Sequence, residues 1–388
     1  MQAPTDSPFY LVAVHGGAGA HPPSADAATK DALRRAARAA LLSLATNPMD
    51  ALSALTHAVM TLEDAEPLNA GFGSNLTLAG RVECDASLMD GRSGVFGGVG
   101  AVSGVRHPIA AARAVLEGRR TKDAVLGRVP PLLVVGDGAA LLAGVRRVDP
   151  ESMVSPRARR EWQVWKARMA QGGAQGPWGD VEGLHSRQDT VGAVVWDSSG
   201  GLAAGVSSGG LLLKSPGRVG EAAIFGAGCW ADDVLACSVS GTGELIVQSA
   251  LARALADALA ASPAPDAHET LRTVLVDRFY DFWTARGEDE PNAGVLLLTK
   301  ERDGARCTPR LWCAFTTPSM AIAYASSLNP KPQPIPEGRS IGLRVAHRWS
   351  MAWCEHEQRM HDAPPASQPY EAKSQTSKAA CTDQGSIQ

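Results

Sequence analysis

The sequence predicts a mixed α/β fold, and three observations carry that prediction. Short, apolar, β-branched runs recur at Tyr10–Val14, Val191–Trp196, Ala293–Thr299 and Leu311–Thr317, each of a length that fits a buried strand. Elsewhere alanine- and leucine-rich stretches return apolar residues at helical spacing. The 40 glycines among 388 residues break these segments with tight turns and close backbone approaches. That length is ample for a large core and allows one large domain or two.

In chain order, Tyr10–Val14 reads as a first buried strand that ends in a glycine-rich turn, His15 to Gly19. Two amphipathic helices follow, Ala27–Ala45 with Arg34, Arg35 and Arg38 outside, and Met49–Glu63, parted by Asn47-Pro48. Leu68–Asn75 is a glycine loop, and Val82–Gly91 a strand with a turn in which Asp85 and Asp90 read locally as caps. His107–Arg113 and the next two turns spell a helix, and Pro130–Gly138 a strand entering another turn. The polar stretch from Asp149 to Asp189 carries Arg157, Arg159, Arg160, Lys166 and Arg168, and its second half, from Gln171, reads as a flexible glycine-rich linker. A solvated helix is the alternative for its basic half. After the strand at Thr190, Glu244–Leu259 and Ala267–Trp283 read as helices packed on a sheet that Ala293–Thr299 and Leu311–Thr317 complete. The tail, His347–Gln388, is polar and low in complexity, the composition of a disordered segment.

Composition excludes several function classes. A net charge of −3 leaves no nucleic-acid footprint, and no apolar run reaches membrane-spanning length. Seven cysteines without framework spacing fit a reducing compartment. The first residues lack the basic and apolar segments of a signal peptide, so the expectation is an intracellular protein without membrane attachment. The glycine turn after His15 has no Gly-Lys-Ser/Thr, and Gly97–Gly104 spells no dinucleotide fingerprint, since position 103 is serine. Neither phosphate-loop nor dinucleotide chemistry is expected. Cys354, His356 and His361 lie in low-complexity context and are not taken as a metal site.

Thr190 admits two readings. Locally it is a β-branched residue opening a core strand. Chemically, cleavage of the Asp189–Thr190 peptide bond would give it a free α-amine with a pKa near roughly 8, close enough to working pH to take the proton of its own hydroxyl. Uncut, that hydroxyl needs some other base.

The motifs decide between them. Asp189-Thr190 opening the Val191–Trp196 run, Ser208-Gly-Gly210, Lys214 to Glu221 with its Gly-Arg218-Val-Gly, Gly226–Trp230 and Ser240-Gly241-Thr-Gly-Glu244 occur in the order of the type 2 asparaginase family of N-terminal-nucleophile hydrolases. Asn69-Ala-Gly-Phe-Gly and Asp85-Ala-Ser-Leu-Met-Asp-Gly91 resemble two further signatures of that family. The resemblance covers about Val12 to Val345. Within the family the chain looks most like the threonine aspartases, the taspases: Ser208, Trp230, Ser240-Gly241 and the Pro130-Pro131 strand side with them.

The resemblance implies a four-layer αββα sandwich made as one proenzyme. Self-cleavage at Asp189-Thr190 would leave an α-subunit, 1–189, with a linker at about 150–189, and a β-subunit, 190–345, ahead of the divergent tail 346–388. It implies Thr190 as nucleophile, Ser208 as a hydroxyl bonded to it, Ser240 and Gly241 as the oxyanion hole, and Asn69 close by. Arg218 would hold a substrate carboxylate, for which a guanidinium fork suits. Asparaginases place aspartate where Glu221 stands, to hold a free substrate α-amine; taspases lack it, and Glu221 keeps an acid. His15 receives no catalytic role, and taspase lysines before the first helix are absent from Ala25–Ala28. The implied activity is a threonine endopeptidase cutting protein substrates after aspartate, with no cofactor or metal, its αβ pairs associating as an α2β2 dimer in cytoplasm or nucleus. Two alternatives are an asparaginase or isoaspartyl dipeptidase, and an uncleaved homologue acting as a binding protein.

Overall fold

The computed structural model describes residues 8–19, 23–120, 126–142, 144–170, 189–261, 266–289, 291–303, 306–334 and 350–354. Two sheets lie face to face, each covered by helices on its outer side. The larger runs β12-β11-β1-β5-β6-β2-β3-β4. Its strands are β1 (Leu11–Gly19), β2 (Cys84–Asp90), β3 (Val95–Val102), β4 (Leu133–Val135), β5 (Val191–Trp196), β6 (Leu202–Ser208), β11 (Ser319–Ser326) and β12 (Gln333–Pro334). The smaller runs β13-β10-β9-β8-β7, built from β7 (Cys229–Ala231), β8 (Leu235–Gly241), β9 (Ala293–Asp303), β10 (Arg306–Phe315) and β13 (Ser350–Cys354). All pairings are antiparallel except β3 with β4.

Strand alternation explains the layers. Along β1, Val12 and Val14 face the helices α1 (Pro23–Thr46), α2 (Ala51–Glu63) and α3 (Pro108–Arg120), and share their core. Leu11 and Ala13 face the second sheet. Along β5, Val191, Ala193 and Val195 join the helical core while Val194 and Trp196 join the inter-sheet core. Successive side chains of a strand point to opposite faces, so runs without polar breaks are what a sheet buried on both sides requires. The far side of the smaller sheet carries α6 (Gly243–Ser249), α7 (Leu251–Ala260) and α8 (Ala267–Arg272), whose Leu245, Leu251, Leu255 and Leu271 enter the same core. The expected αββα sandwich is the observed architecture.

Two further helices lie in the first half, α4 (Asp137–Ala140) and α5 (Pro156–Ala170). The expected linker is helical in its first half, for a visible reason. Arg157 Nε donates to Glu66 O (3.1 Å), Trp162 Nε1 to Thr77 O (2.9 Å) and Lys166 Nζ to Leu78 O (3.0 Å), clamping α5 to the loop after α2. Met153 and Ala158 pack with Leu76, Val82 and Cys84 beneath it. The glycine-rich half, 171–188, lies outside the described residues, as do the tail apart from β13 and the histidines His356 and His361. Among the described residues no helix is long and apolar enough to cross a membrane.

Candidate active site

Thr190 immediately precedes β5, buried at 1% exposure. By the alternation of that strand it shares the inter-sheet face with Gly192, Val194 and Trp196. This face also receives His15 from β1 and Ser238 and Ser240 from β8. His15 pairs with Gly192 in register, and its Nε2 lies 2.6 Å from Ser238 Oγ. Only a glycine fits at 192, because a Cβ there would stand 2.6 Å from His15 Nε2 and 2.8 Å from Gly205 O. Burial pushes the His15 imidazole down to about 3, so it is neutral at physiological pH.

Both functional atoms of Thr190 are engaged in the uncut chain. Its amide N–H donates to Ser240 Oγ (3.2 Å), which also accepts from Ala18 N (3.0 Å). Its hydroxyl donates to Glu221 Oε1. Glu221 is 3% exposed, opening a short turn, Glu221–Ala223. Burial raises its carboxyl above the ordinary range, opposed by the Thr190 hydrogen bond and the Arg218 charge. Asp189, 9% exposed, lays its side chain against the glycine turn of β1; a Cβ at Gly19 would come 2.8 Å from its Oδ1. The Asp189–Thr190 peptide is thus held from both ends.

A layer of supporting contacts fixes these groups. Asp85 is fully buried on β2; its Oδ2 accepts from Gly220 N (2.9 Å) and its Oδ1 from Ala101 N (2.8 Å), anchoring the turn that carries Arg218 and Glu221. Burial raises the Asp85 carboxyl and the nearby Lys214 charge opposes the rise. Arg218 forms an ion pair with Glu244 (2.8 Å) from the start of α6. Asn69 donates to Gly210 O (2.9 Å), its Oδ1 accepts from Asn75 N (2.9 Å), and its own carbonyl accepts from Gly209 N (2.8 Å). Gly241, at φ 149 in β8, is a position where any side chain would collide with Asn292.

The sequence-derived residues Thr190, Asp189, Glu221 and Ser240 therefore converge directly, Arg218 stands beside Glu221, and Gly241 follows Ser240. Ser208 and Asn69 act one step away: the Ser208 hydroxyl accepts from Gly210 N (3.0 Å), while the hydroxyl partner of Thr190 is Glu221. Sequence reasoning leaves His15 as scaffold, and quotes Asp85 and Lys214 within family-like motifs without giving either a role in the site. The local pattern gives Asp85 no signal of its own, since Glu83, Ser87 and Asp90 stand in the same stretch; its burial requires partners, which Ala101 N and Gly220 N supply.

Comparison with known proteins gives a consistent picture. Residues 8–273 match the sequence model of the family Asparaginase_2, described as asparaginase. Over 247 residues the chain is 37% identical to the isoaspartyl peptidase of Salmonella typhimurium, covering 62% of this chain and 75% of that protein. It is 36% identical over 212 residues to the plant-type L-asparaginase of Pyrococcus abyssi, covering 53% and 66% respectively. It is 36% identical over 247 residues to the isoaspartyl peptidase/L-asparaginase of Xenopus laevis, covering 63% and 74%.

Proposed function

Because the chain belongs to the Asparaginase_2 family of hydrolases, we propose that it activates itself by cutting the Asp189–Thr190 bond and then hydrolyses amide bonds with Thr190 as N-terminal nucleophile. The observation that carries this reading is the dual engagement of Thr190, hydroxyl on Glu221 and amide on Ser240, at the mouth of a buried strand. Once cut, the freed amine stands beside its own hydroxyl and near Ser240, and can act as base for attack on a substrate carbonyl. Ser240 and the Gly241 amide would stabilise the oxyanion, a contribution of roughly 3–4 kcal/mol per donor where such donors have been removed in other enzymes. Ser208 and Asn69 hold the Gly209-Gly210 turn.

Within the family we favour a taspase-type threonine endopeptidase that cuts protein chains after aspartate, with Arg218 taking the aspartate carboxylate. Glu221 supports this choice. Its arm is one methylene longer than aspartate, and its Oε1 accepts the hydrogen bond of the Thr190 hydroxyl itself, which leaves that oxygen engaged with the nucleophile. The second reading is an isoaspartyl peptidase or asparaginase, favoured by the names of the relatives and by the acid retained at 221. In that case Glu221 would hold the α-amine.

The two readings separate on three substrates offered to the cut enzyme: a peptide with an internal aspartate, a β-aspartyl dipeptide, and free L-asparagine. The endopeptidase reading expects cleavage of the first, on the carboxyl side of aspartate, and turnover of the others at least about a hundredfold lower in kcat/KM, a difference of about 2.7 kcal/mol. Release of aspartate or ammonia from the small substrates, with the peptide untouched, would replace it by the second reading.

A further inference from the structure

We propose that Glu221 is the base of the self-cleavage step, taking the proton of the Thr190 hydroxyl as that oxygen attacks the Asp189 carbonyl carbon. The proposal rests on the reading that the chain cuts itself, and it fills a gap in that chemistry. The α-amine that would serve the mature enzyme does not exist before the cut. The Thr190 nitrogen is then a peptide amide, a donor with no basicity, and it is spent on Ser240 Oγ. Something else must accept the hydroxyl proton.

The side chain in place is Glu221, whose Oε1 accepts that proton's hydrogen bond. The other buried titratable group on this face, His15, is directed at Ser238 Oγ. Asp189 is turned against the glycines of β1. Glu221 is itself held in place, since Gly220 N is tied to Asp85 and a Cβ at Gly243 would strike Glu221 Oε2. The charged groups around it are Arg218 on its own turn, Asp85 on β2, and Glu244 on α6, already paired with Arg218; Lys214 lies beyond, close to Asp85. Burial raises the Glu221 carboxyl. That shift makes its carboxylate a stronger base than a solvated one.

The step balances without any group the chain lacks except water. The Oγ–H bond of Thr190 breaks and its proton goes to Glu221 Oε1 as Oγ bonds to the Asp189 carbonyl carbon. The tetrahedral species collapses by breaking the carbon–nitrogen bond, and Glu221 returns the proton to the departing nitrogen. An ester joins Asp189 to Thr190 Oγ until water hydrolyses it, leaving the Asp189 α-carboxylate on one fragment and Thr190, with free α-amine and hydroxyl, at the start of the other. Glu221 ends as it began.

The test follows the cleavage rate of the full-length chain by mass across pH, for wild type, Thr190→Ala, Glu221→Gln and Glu221→Asp. Glutamine keeps the shape and the hydrogen bond but removes the base. The expected result is cleavage at least about a hundredfold slower in Glu221→Gln, the low end of what a general base contributes, with an unchanged unfolding midpoint. The wild-type rate rises with pH through a value above the ordinary carboxylate range, and residual cleavage of Glu221→Gln lacks that rise. If Glu221→Gln does not fold, Glu221→Asp decides: a slower reaction that keeps the pH rise supports the base, and a flat profile overturns it. Wild-type cleavage by folded Glu221→Gln, with Thr190→Ala still whole, would sink the base and leave self-cleavage standing. A wild-type chain that never splits removes the reading beneath it as well.

Discussion

Glu63 is the residue whose environment makes the sharpest demand on this fold. It ends α2, fully buried, with Oε1 accepting from Ser207 Oγ (2.7 Å) and from Ile109 N (2.9 Å) near the start of α3. Among the described residues its Oε2 has no hydrogen-bond partner. Burial pushes the carboxyl up to about 8, against the pull of the Ser207 hydrogen bond. An acid raised on folding holds its proton more tightly in the folded chain. Its stabilising share is therefore complete below the ordinary value of about 4.5 and is lost as the pH rises toward about 8, by at most about 1.4 kcal/mol per pH unit. Glu63→Gln is neutral throughout and keeps Oε1 as acceptor. Thermal unfolding at pH 5.5 and pH 9 should show the wild-type midpoint falling between the two more steeply than that of Glu63→Gln, with the variant the more stable at pH 9. Parallel falls would mean that Glu63 is ionised when buried. At the same scale, Ser240→Ala removes the acceptor of two buried amides, Thr190 N and Ala18 N. A loss of about 1–3 kcal/mol of stability is expected in denaturant unfolding, together with slower self-cleavage; unchanged stability would mean that the amides find other partners.

At the scale of elements, α5 clamps the loop that carries Asn69. Trp162 is half-buried there, its indole N–H on Thr77 O and Lys166 beside its ring. Trp162→Ala should cost about 1–3 kcal/mol, below the range for a fully buried tryptophan, and hydrogen exchange should speed up across 66–83 ahead of the rest of the chain. Uniform exchange across the molecule would show that α5 is not what holds this loop. The elements also show what sequence patterns could convey. The two long helices and the strands at Val191–Trp196 and Ala293 were legible because their faces repeat locally. The predicted helix Glu244–Leu259 is instead two helices, broken at Ala250, which adopts φ 44 although it is not glycine. Nothing in an Ala-Leu run announces that break. The helix expected over Ala267–Trp283 continues past α8 through a wider turn, Thr273–Tyr280, of π type. The polar stretch after Asp149 allowed a solvated helix, but it hid the packing of α5, whose contacts lie with a loop some eighty residues earlier.

At the scale of the whole molecule, the proposed cut at Asp189–Thr190 would divide the chain but not the sheet. β1 sits between β11 and β5, and β6 pairs with β2, so strands from both sides of the cut alternate in the larger sheet. The fragments should therefore elute together in native size exclusion and separate only in denaturant; separation without denaturant would contradict this sheet order. The same interleaving explains why the site was only partly visible in the sequence. Thr190, Asp189, Ser240 and Arg218 stood out through motif resemblance, whereas the bond from the Thr190 hydroxyl to Glu221 and the anchoring of that turn by Asp85 arise only when β2, β5 and the Gly220 turn meet in space.

Whether Thr190 becomes a nucleophile by self-cleavage is tested most directly by the intact mass of the purified chain. Wild-type protein should give two masses that join at Asp189/Thr190, while Thr190→Ala purified alongside gives one. If the wild type keeps a single, full-length mass after prolonged incubation, Thr190 remains a peptide amide without a free amine, and it cannot be the N-terminal nucleophile of this protein.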